Sequence, residues 1–279
     1  MSDFYDVITV GGGPAGLSAA IYAARSGASV AVVESLTVGG VAAATPEIEN
    51  YPGYESISGY ELSQKMSEQA QRLGARIIYG KVEKIRDGQV KRLQLSGGEE
   101  LTCSALVLAP GSTPRKLGVE RESELLGAGL SYCATCDGNF FRGKHVVVAG
   151  AGKHAASAEE YLRNIAQKVT VVNPRVTPVT KLIGNPLAAI EISENGTARV
   201  IECGGLFVEL GYEPSTELVK GFVQTDQAGY VICNERMQTD KAGVFAAGDI
   251  VRKPLRQIVT AAADGAIAGQ FAAAYAKTR

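Results

Sequence analysis

The stretch DVITVGGGPAG (residues 6–16) decides the fold of this 279-residue chain. An apolar, β-branched run leads into three consecutive glycines, and the alanine-rich segment after them is typical of a helix that ends at Gly27. A second apolar run, ASVAVVE (28–34), follows directly. The order strand, glycine turn, helix, strand predicts a βαβ unit at the start of a parallel sheet.

Within this unit, Gly11, Gly13 and Gly16 form a G-x-G-x-x-G fingerprint. The first glycine permits a tight turn, the second lets backbone amides approach a pyrophosphate, and the third allows close packing of helix on strand. Glu34, 23 residues after Gly11, is placed to accept a hydrogen bond from a ribose hydroxyl. The combination predicts dinucleotide binding.

A second unit of the same kind occupies residues 144–175, with Gly150, Gly152 and Ala155 at the three fingerprint positions. We infer a duplication of nucleotide-binding units. The two copies differ at the ribose position, because Asn173 stands 23 residues after Gly150, where the first copy has a carboxylate.

Length and composition limit the remaining classes of function. A chain of this length predicts about two domains. With 28 basic and 29 acidic residues the net charge is -1, which offers no electrostatic footprint for nucleic acid or an anionic membrane. Neither a signal peptide nor a long uncharged apolar segment is apparent. We therefore expect a cytoplasmic protein with no nucleic-acid or membrane partner.

The cysteines point to redox chemistry. Cys133 and Cys136 form the CxxC of CATCDG (133–138), and in a reducing compartment such a pair is more often catalytic or metal-binding than structural. Only two histidines are present and no second CxxC exists, so no metal site is expected. A CxxC at the start of a helix has a stabilised, reactive thiolate. The other cysteines, Cys103, Cys203 and Cys233, lie in apolar contexts and are expected to be inert core residues.

Several stretches occur in the order found in low-molecular-weight thioredoxin reductases. They are the first glycine turn, GG (39–40), EIENYPGY (47–54), LAPGSTPRKLG (108–118), CATCDG (133–138), GVFAAGDI (243–250) and RQIVTAAADG (256–265). The chain resembles this family over nearly its whole length. The resemblance implies an α/β fold with two Rossmann-like domains of the glutathione-reductase type, the second inserted in the first, and a homodimer.

The resemblance also implies domain bounds and roles for residues. An FAD-binding domain would comprise 1–115 plus 241–279, and residues 116–240 would form the inserted redox domain. Cys136 would exchange electrons with the flavin, Cys133 would attack the disulfide of thioredoxin or a thioredoxin-like protein, and Asp137 would protonate the leaving thiolate. The implied FAD contacts are Gly11, Gly13, Pro14, Ala15, Gly16, Glu34, Gly40, Asn50, Gly111, Gly248, Asp249, Arg256 and Gln257.

The chain departs from the family in the inserted domain. Members that use NADPH usually carry a GGG-[DN]-[ST]-A turn and an H-R-R-x-x-x-R segment that holds the 2′-phosphate. Here the turn is GAGKHA (150–155), and three of the four basic positions are replaced, by Asn173, Pro174 and Val179. Residues 176–203 leave little room for a second full helix. These losses predict a domain reduced in size, as in the pyridine-nucleotide-independent branch that takes electrons from reduced ferredoxin.

Other functions stay open at this stage. An NADPH-dependent reductase could hold the nucleotide through Lys153 and Arg175. An FAD-dependent dithiol oxidase would pass electrons to O2, and a non-catalytic redox sensor would only bind the flavin. The intact CATCDG argues against the sensor. For ferredoxin, the sequence offers no clear basic patch beyond VRKPLR (251–256).

Overall fold

The computed structural model describes residues 3–45 and 47–279 and divides into two compact units. The first unit comprises Met1–Thr113 and Pro214–Arg279, and the second comprises Pro114–Glu213. The predicted boundary at 240 differs from this division. Residues 214–240 group with the first unit because Val219, Val223 and Val231 are buried in its core.

The first unit is built on a seven-stranded sheet with the order β3-β2-β1-β6-β5-β4 and with β16 beside β6. Its strands are β1 (Asp3–Val10), β2 (Val30–Glu34), β3 (Arg76–Tyr79), β4 (Val82–Arg86), β5 (Lys91–Leu95), β6 (Glu100–Leu108) and β16 (Val244–Ala246). The pairs β1–β2, β2–β3, β1–β6 and β6–β16 are parallel. The pairs β4–β5 and β5–β6 are antiparallel, whereas β3 is parallel to its neighbour β2.

Three helices belong to this unit: α1 (Pro14–Arg25), α2 (Gly59–Arg72) and α5 (Ile258–Ala276). α5 lies directly on α1. A Cβ at Gly265 or Gly269 would stand 2.1 Å from the backbone oxygen of Ala15 or Ala19 respectively. Glycine at these two positions therefore allows the backbones of α1 and α5 to touch. The contact places the segment that follows β16 beside the first βα turn.

The second unit contains a four-stranded parallel sheet with the order β10-β9-β14-β8. These strands are β8 (Leu130–Ser131), β9 (His145–Gly150), β10 (Lys168–Val172) and β14 (Gly205–Glu209). α4 (Gly152–Arg163) joins β9 to β10, and α3 (Ala134–Asp137) is a single turn after β8. The predicted second strand–turn–helix–strand unit is therefore present, and the α/β fold with parallel sheets is confirmed.

The segment after β10 is all strand. β11 (Val179–Gly184), β12 (Leu187–Glu194) and β13 (Thr197–Glu202) form an antiparallel sheet. Among the described residues of this unit, α4 is the one helix longer than a single turn. Val179, at one of the replaced basic positions, is buried in the core. Two further short strands are β7 (Ser112–Pro114) and β15 (Tyr212–Pro214).

None of the helices in the described ranges combines the length and the apolarity needed to cross a membrane.

Candidate active site

The first glycine turn has the geometry that its sequence predicts. Gly11 has a φ of 103°, which side chains rarely tolerate. A Cβ at Gly11 would lie 2.2 Å from Ala109 O, and one at Gly16 would lie 1.8 Å from Gly11 O. Gly11 therefore serves the turn, and Gly16 serves the close approach of α1 to the strand before it.

Gly13 differs from these two because none of the residues that the structure describes crowds it. A Cβ there would meet only Gly39 O, at 3.9 Å, and Gly40 faces it, with 3.7 Å between a Cβ at Gly40 and Gly13 Cα. The turn thus leaves space above its backbone at the N-terminus of α1, where Pro14 and Ala15 begin the helix. This is the arrangement that receives a pyrophosphate.

The carboxylate of Glu34 is buried at the end of β2. Its Oε2 accepts a hydrogen bond from Gly12 N at 2.7 Å, and its Oε1 accepts one from Leu36 N at 2.8 Å. Glu34 is thereby fixed next to the glycine turn, at the position predicted for a ribose contact. Oε1 also accepts a hydrogen bond from Ser35 Oγ at 3.4 Å, so Oε2 is the oxygen with a second lone pair for a further donor.

Asp249 lies in a 3-10 helix (Gly248–Ile250) directly after β16. Among the described residues, its Oδ1 is buried with no hydrogen-bond partner. Burial raises the pKa of the Asp249 carboxyl, and the cations of Lys253 and Arg256 and the neighbouring Ser112 hydroxyl oppose that effect. The Ser112 hydroxyl is nevertheless placed without a well-formed hydrogen bond to any described residue. An unsatisfied buried acceptor is costly, so Asp249 Oδ1 fits a site that a ligand donor completes.

Arg256 and Gln257 stand at the entrance to α5. The Arg256 guanidinium lies over the Tyr230 ring, 4.4 Å from its centroid, and in the described chain Arg256 Nε is buried without a hydrogen-bond partner. The Gln257 side chain caps α5 with Thr260 and accepts a hydrogen bond from Asn50 Nδ2 at 3.1 Å. Two predicted FAD contacts, Asn50 and Gln257, are therefore brought together.

Sequence reasoning missed the ion pair between Lys253 and Asp264, which is largely buried. Asp264 Oδ2 also accepts a hydrogen bond from Gly248 N at 3.2 Å. The pair ties the 3-10 helix to α5, so it holds Asp249 in place. Gly111 has a φ of 78° and open space where a Cβ would stand, and no contact of it bears on its predicted role.

Cys133 and Cys136 form a disulfide in the second unit, with 5.3 Å between their Cα atoms. Cys133 is the residue before α3, and both cysteines are partly exposed. The backbone oxygen of Cys133 accepts from Cys136 N at 3.2 Å and from Asp137 N at 3.1 Å. The expected helix is thus a single turn, so its dipole is weaker than that of a long helix.

Asp137 closes this turn and contacts Ser131. Its Oδ2 lies 2.6 Å from Ser131 Oγ, and Ser131 Oγ accepts a hydrogen bond from Cys133 N at 3.0 Å. Burial raises the pKa of the Asp137 carboxyl, and the hydrogen bond from Ser131 opposes the shift. A raised pKa is the property that a carboxylic acid needs to donate a proton near neutral pH.

A second carboxyl group beside the disulfide was not predicted. Glu209 ends β14, is buried, and accepts a hydrogen bond from Ala134 N, between the two cysteines, at 3.3 Å. Burial raises its pKa to about 7, against the effect of the Ala134 N–H. A carboxyl residue at the end of a strand in an all-apolar run, GLFVE (205–209), was the available signal.

The second glycine turn keeps its backbone form. Gly152 has a φ of 73°, and a Cβ at Gly150 would lie 2.5 Å from Glu209 O. Asn173, at the ribose position, uses its Oδ1 to accept from Arg175 N at 3.1 Å, within its own turn. Arg175 itself is exposed.

The remaining cysteines are Cys103, Cys203 and Cys233. Burial raises the pKa of Cys103 to about 12, and the pKa values of Cys203 and Cys233 to about 11. Such pKa values favour the protonated thiol near neutral pH. Cys103 and Cys203 are buried, as expected of core residues, whereas Cys233 is only partly buried.

Comparison with known proteins decides the family. The model of the family described as pyridine nucleotide-disulphide oxidoreductase matches residues 5–186 and 175–265. The thioredoxin reductase of Bacillus subtilis (strain 168) is 39% identical over 293 residues, which cover 95% of this chain and 93% of that protein. The chain belongs to the thioredoxin reductases of this family.

Similarity to solved structures leads to the same family. The crystal structure of thioredoxin reductase from Streptococcus pyogenes MGAS5005 has 37% identity and a TM-score of 0.92, with all of both chains covered. The thioredoxin reductase of Treponema pallidum (strain Nichols) is 38% identical over 100% of this chain and 99% of that protein. The family binds FAD, and FAD is the cofactor of this chain.

The residues of the first unit fit FAD. The open space above Gly13, the buried Glu34 carboxylate and the unpaired Asp249 Oδ1 are features that a dinucleotide with a polyhydroxyl chain would use. Among the described residues, no group of three or more His, Cys, Asp or Glu side chains could hold a metal ion.

Proposed function

We propose that this member of the family reduces the disulfide of thioredoxin, or of a thioredoxin-like protein, with the Cys133–Cys136 pair. One observation carries the proposal: the disulfide is partly exposed and stands beside Asp137, a half-buried carboxyl group with a raised pKa. A structural disulfide needs no such acid. The relatives named thioredoxin reductase support the choice of substrate.

FAD, when bound, supplies the pair of electrons that reduces the disulfide to a dithiol. Its proposed contacts in the chain are the residues assigned from the resemblance, with Glu34 at the ribose and Asp249 at the ribityl chain. Cys136 is the proposed cysteine on the flavin side. The proposed FAD-binding domain is residues 1–115 with 241–279. The first structural unit, Met1–Thr113 with Pro214–Arg279, would add residues 214–240 to it.

In the proposed reaction the Cys133 thiolate attacks one sulfur of the thioredoxin disulfide. The second thioredoxin sulfur leaves as a thiolate and takes the proton of the Asp137 carboxyl. Cys136, deprotonated, then attacks Cys133 Sγ and releases the other thioredoxin thiolate, which takes up a proton. One disulfide breaks and one forms, so the dithiol of this chain is oxidised as thioredoxin gains two electrons and two protons.

For the electron donor we favour reduced ferredoxin. A 2′-phosphate would lack partners at three replaced basic positions, and each missing charge-assisted hydrogen bond costs roughly 1.5 to 3 kcal/mol. Asn173 is bonded within its own turn, which weakens a ribose contact as well. The segment 251–256 is a weak candidate for the surface that binds ferredoxin. Its Lys253 is paired with Asp264, so Arg252 is the exposed cation that it offers.

NADPH is the second candidate donor. The second glycine turn keeps its backbone form and is followed by α4, so it could still receive the pyrophosphate of NADPH. Lys153 and Arg175 are exposed cations near that turn and strand end. We also propose a homodimer, on the resemblance alone, and the cytoplasmic location stays a prediction from the sequence.

The test is anaerobic stopped-flow absorbance of the FAD-loaded protein, mixed in turn with reduced ferredoxin, NADPH and NADH, followed by a count of thioredoxin thiols. We expect bleaching of the flavin by ferredoxin and the appearance of thioredoxin thiols. Cys133→Ser should abolish the second signal and leave the first, whereas Cys203→Ser, at a buried thiol, should change neither.

Three results would contradict parts of this proposal. Fast bleaching by NADPH, with none by ferredoxin, would reject the donor. Thioredoxin that stays oxidised after the flavin is bleached would reject the substrate. Consumption of O2 with a small dithiol, with peroxide as product, would identify a dithiol oxidase.

A further inference from the structure

Glu209 is a buried carboxyl group for which the proposed reaction has no use. It ends β14 at the edge where the CxxC turn stands, and only 8% of the residue is exposed. Its Oε1 accepts from Ala134 N, the backbone donor that follows Cys133. Two other donors of the turn, Cys136 N and Asp137 N, already bond to Cys133 O.

The elements packed around Glu209 provide no cation that pairs with it among the described residues. Gly150 of β9 stands opposite it in the sheet. The ionisable groups on the neighbouring elements are His145 of β9, Lys153, His154, Glu159, Glu160, Tyr161 and Arg163 of α4, Glu191 and Glu194 of β12, Tyr132 after β8, and Asp137 of α3. Several are engaged elsewhere: Glu159 with Arg163, Asp137 with Ser131, and Tyr132 with Glu122.

A charge on the CxxC pair would act on this carboxyl group. Reduction of the disulfide near neutral pH creates a thiolate beside Ala134, and the thiolate and the Glu209 carboxylate are like charges. They also draw on the same small set of N–H donors in a one-turn helix. Each of the two anions therefore disfavours the other.

We propose that Glu209 is a proton-coupled positioning residue of the CxxC pair, which binds a proton when the disulfide is reduced and releases it when the disulfide re-forms. It acts through the Ala134 N–H, and its effect is to make reduction of the pair more favourable at lower pH. The proposal rests on the proposed function in one respect, that Cys133–Cys136 is the redox pair.

The step balances as follows. The disulfide and an ionised Glu209 take up two electrons and two protons, and they give one thiol, one thiolate and a neutral Glu209 carboxyl. The sulfur–sulfur bond breaks, and the total charge of the site stays at one negative charge. In the test, dithiothreitol supplies the electrons and protons and becomes its cyclic disulfide.

The experiment compares wild type, Glu209→Gln and the control Glu160→Gln, an exposed carboxylate on α4. FAD-loaded protein is equilibrated with reduced and oxidised dithiothreitol from about pH 6 to about pH 9, quenched with acid and alkylated. Mass spectrometry then separates protein with three free thiols from protein with five. The readout is the equilibrium constant for reduction of the pair.

We expect the ratio of the wild-type constant to the Glu209→Gln constant to fall as the pH rises. The fall should be about tenfold for each unit by which reduction raises the pKa of Glu209. Glu160→Gln should follow wild type. A ratio that is independent of pH would overturn the proposal while leaving the redox pair intact. A count fixed at three thiols in every protein would instead reject the redox pair.

Folding of the variant is checked by thermal unfolding at about pH 8. The folded pKa of Glu209, about 7, lies above the usual value of 4.5, so its contribution to stability is lost as the pH rises between them. A neutral glutamine that still accepts from Ala134 N should therefore unfold at the same or a higher temperature than wild type. A folded variant with no change of ratio counts against the proposal.

Discussion

At the scale of single residues, the CxxC site depends on two carboxyl groups, the half-buried Asp137 and the buried Glu209. Asp137 was predicted from its place in CATCDG, and the structure adds Ser131, whose hydroxyl bonds both Asp137 and the Cys133 N–H. Glu209 was not predicted, because it comes from a strand about 70 residues later, and pairing in a parallel sheet between distant strands is not visible in a local pattern.

Asp137→Asn tests the acid directly. Only the protonated carboxyl can donate, so the wild-type rate of thioredoxin reduction should fall as the pH rises through the raised pKa of Asp137. The variant should be slower by about 100-fold or more and should lack this alkaline fall. A single-turnover measurement, with pre-reduced enzyme and oxidised thioredoxin, separates this step from flavin reduction. An unchanged pH profile in the variant would assign Asp137 a structural role.

Ser131→Ala is the matched change, because it keeps the carboxyl and removes the hydrogen bond that lowers its pKa. We expect the alkaline fall in rate to move to higher pH, in the same single-turnover measurement. A shift to lower pH would contradict the assignment.

At the scale of elements, the strands and helices that bear the two fingerprints were predictable, since each combines an apolar run, a glycine turn and a helix in fixed order. The three strands from 179 to 202 were predicted only as a segment too short for a second full helix. Their antiparallel pairing depends on contacts with each other and with Leu206 and Val208 of β14, which no pattern within the segment reveals.

Gly265→Ala tests the contact between α1 and α5. The added Cβ would stand 2.1 Å from Ala15 O, a backbone atom, so the helices must separate. We expect a loss of about 1 to 3 kcal/mol in the free energy of unfolding, measured with urea. Ala263→Ser, on the exposed side of α5, should stay within about 0.5 kcal/mol of wild type. Equal stability of both variants would show that the helices can part without cost.

At the scale of the whole molecule, FAD should connect binding to stability in the first unit. Asp249 Oδ1 is a buried acceptor left for the ligand, among the described residues, so its removal should weaken FAD binding. We expect Asp249→Ala to raise the Kd for FAD by about 10- to 100-fold, as the loss of one charged hydrogen bond predicts. Fluorescence of released flavin measures it, with Glu68→Gln, an exposed residue of α2, as control. An unchanged Kd for FAD in Asp249→Ala would show that another residue contacts the ribityl chain.

Removal of FAD should also lower the melting temperature of wild type. A ligand present at about 100 times its Kd stabilises by about 2.7 kcal/mol, and Asp249→Ala should lose most of this gain at the same flavin concentration. Calorimetry with and without added FAD gives both values. A variant that FAD stabilises as much as wild type would again argue against the contact.

The packing of α5 on α1 has a consequence for biosynthesis. α1 leaves the ribosome before the second unit, whereas β16 and α5, which complete the unit of α1, follow the whole of the second unit in the chain. At roughly 5–20 residues per second, translation from Pro114 to Ala276 takes on the order of ten to thirty seconds. During that interval Pro114–Glu213 can fold as one continuous stretch, whereas the alanine-rich face of α1 is not yet packed against α5. We therefore expect the alanine face of α1 to stay uncovered until α5 has left the ribosome.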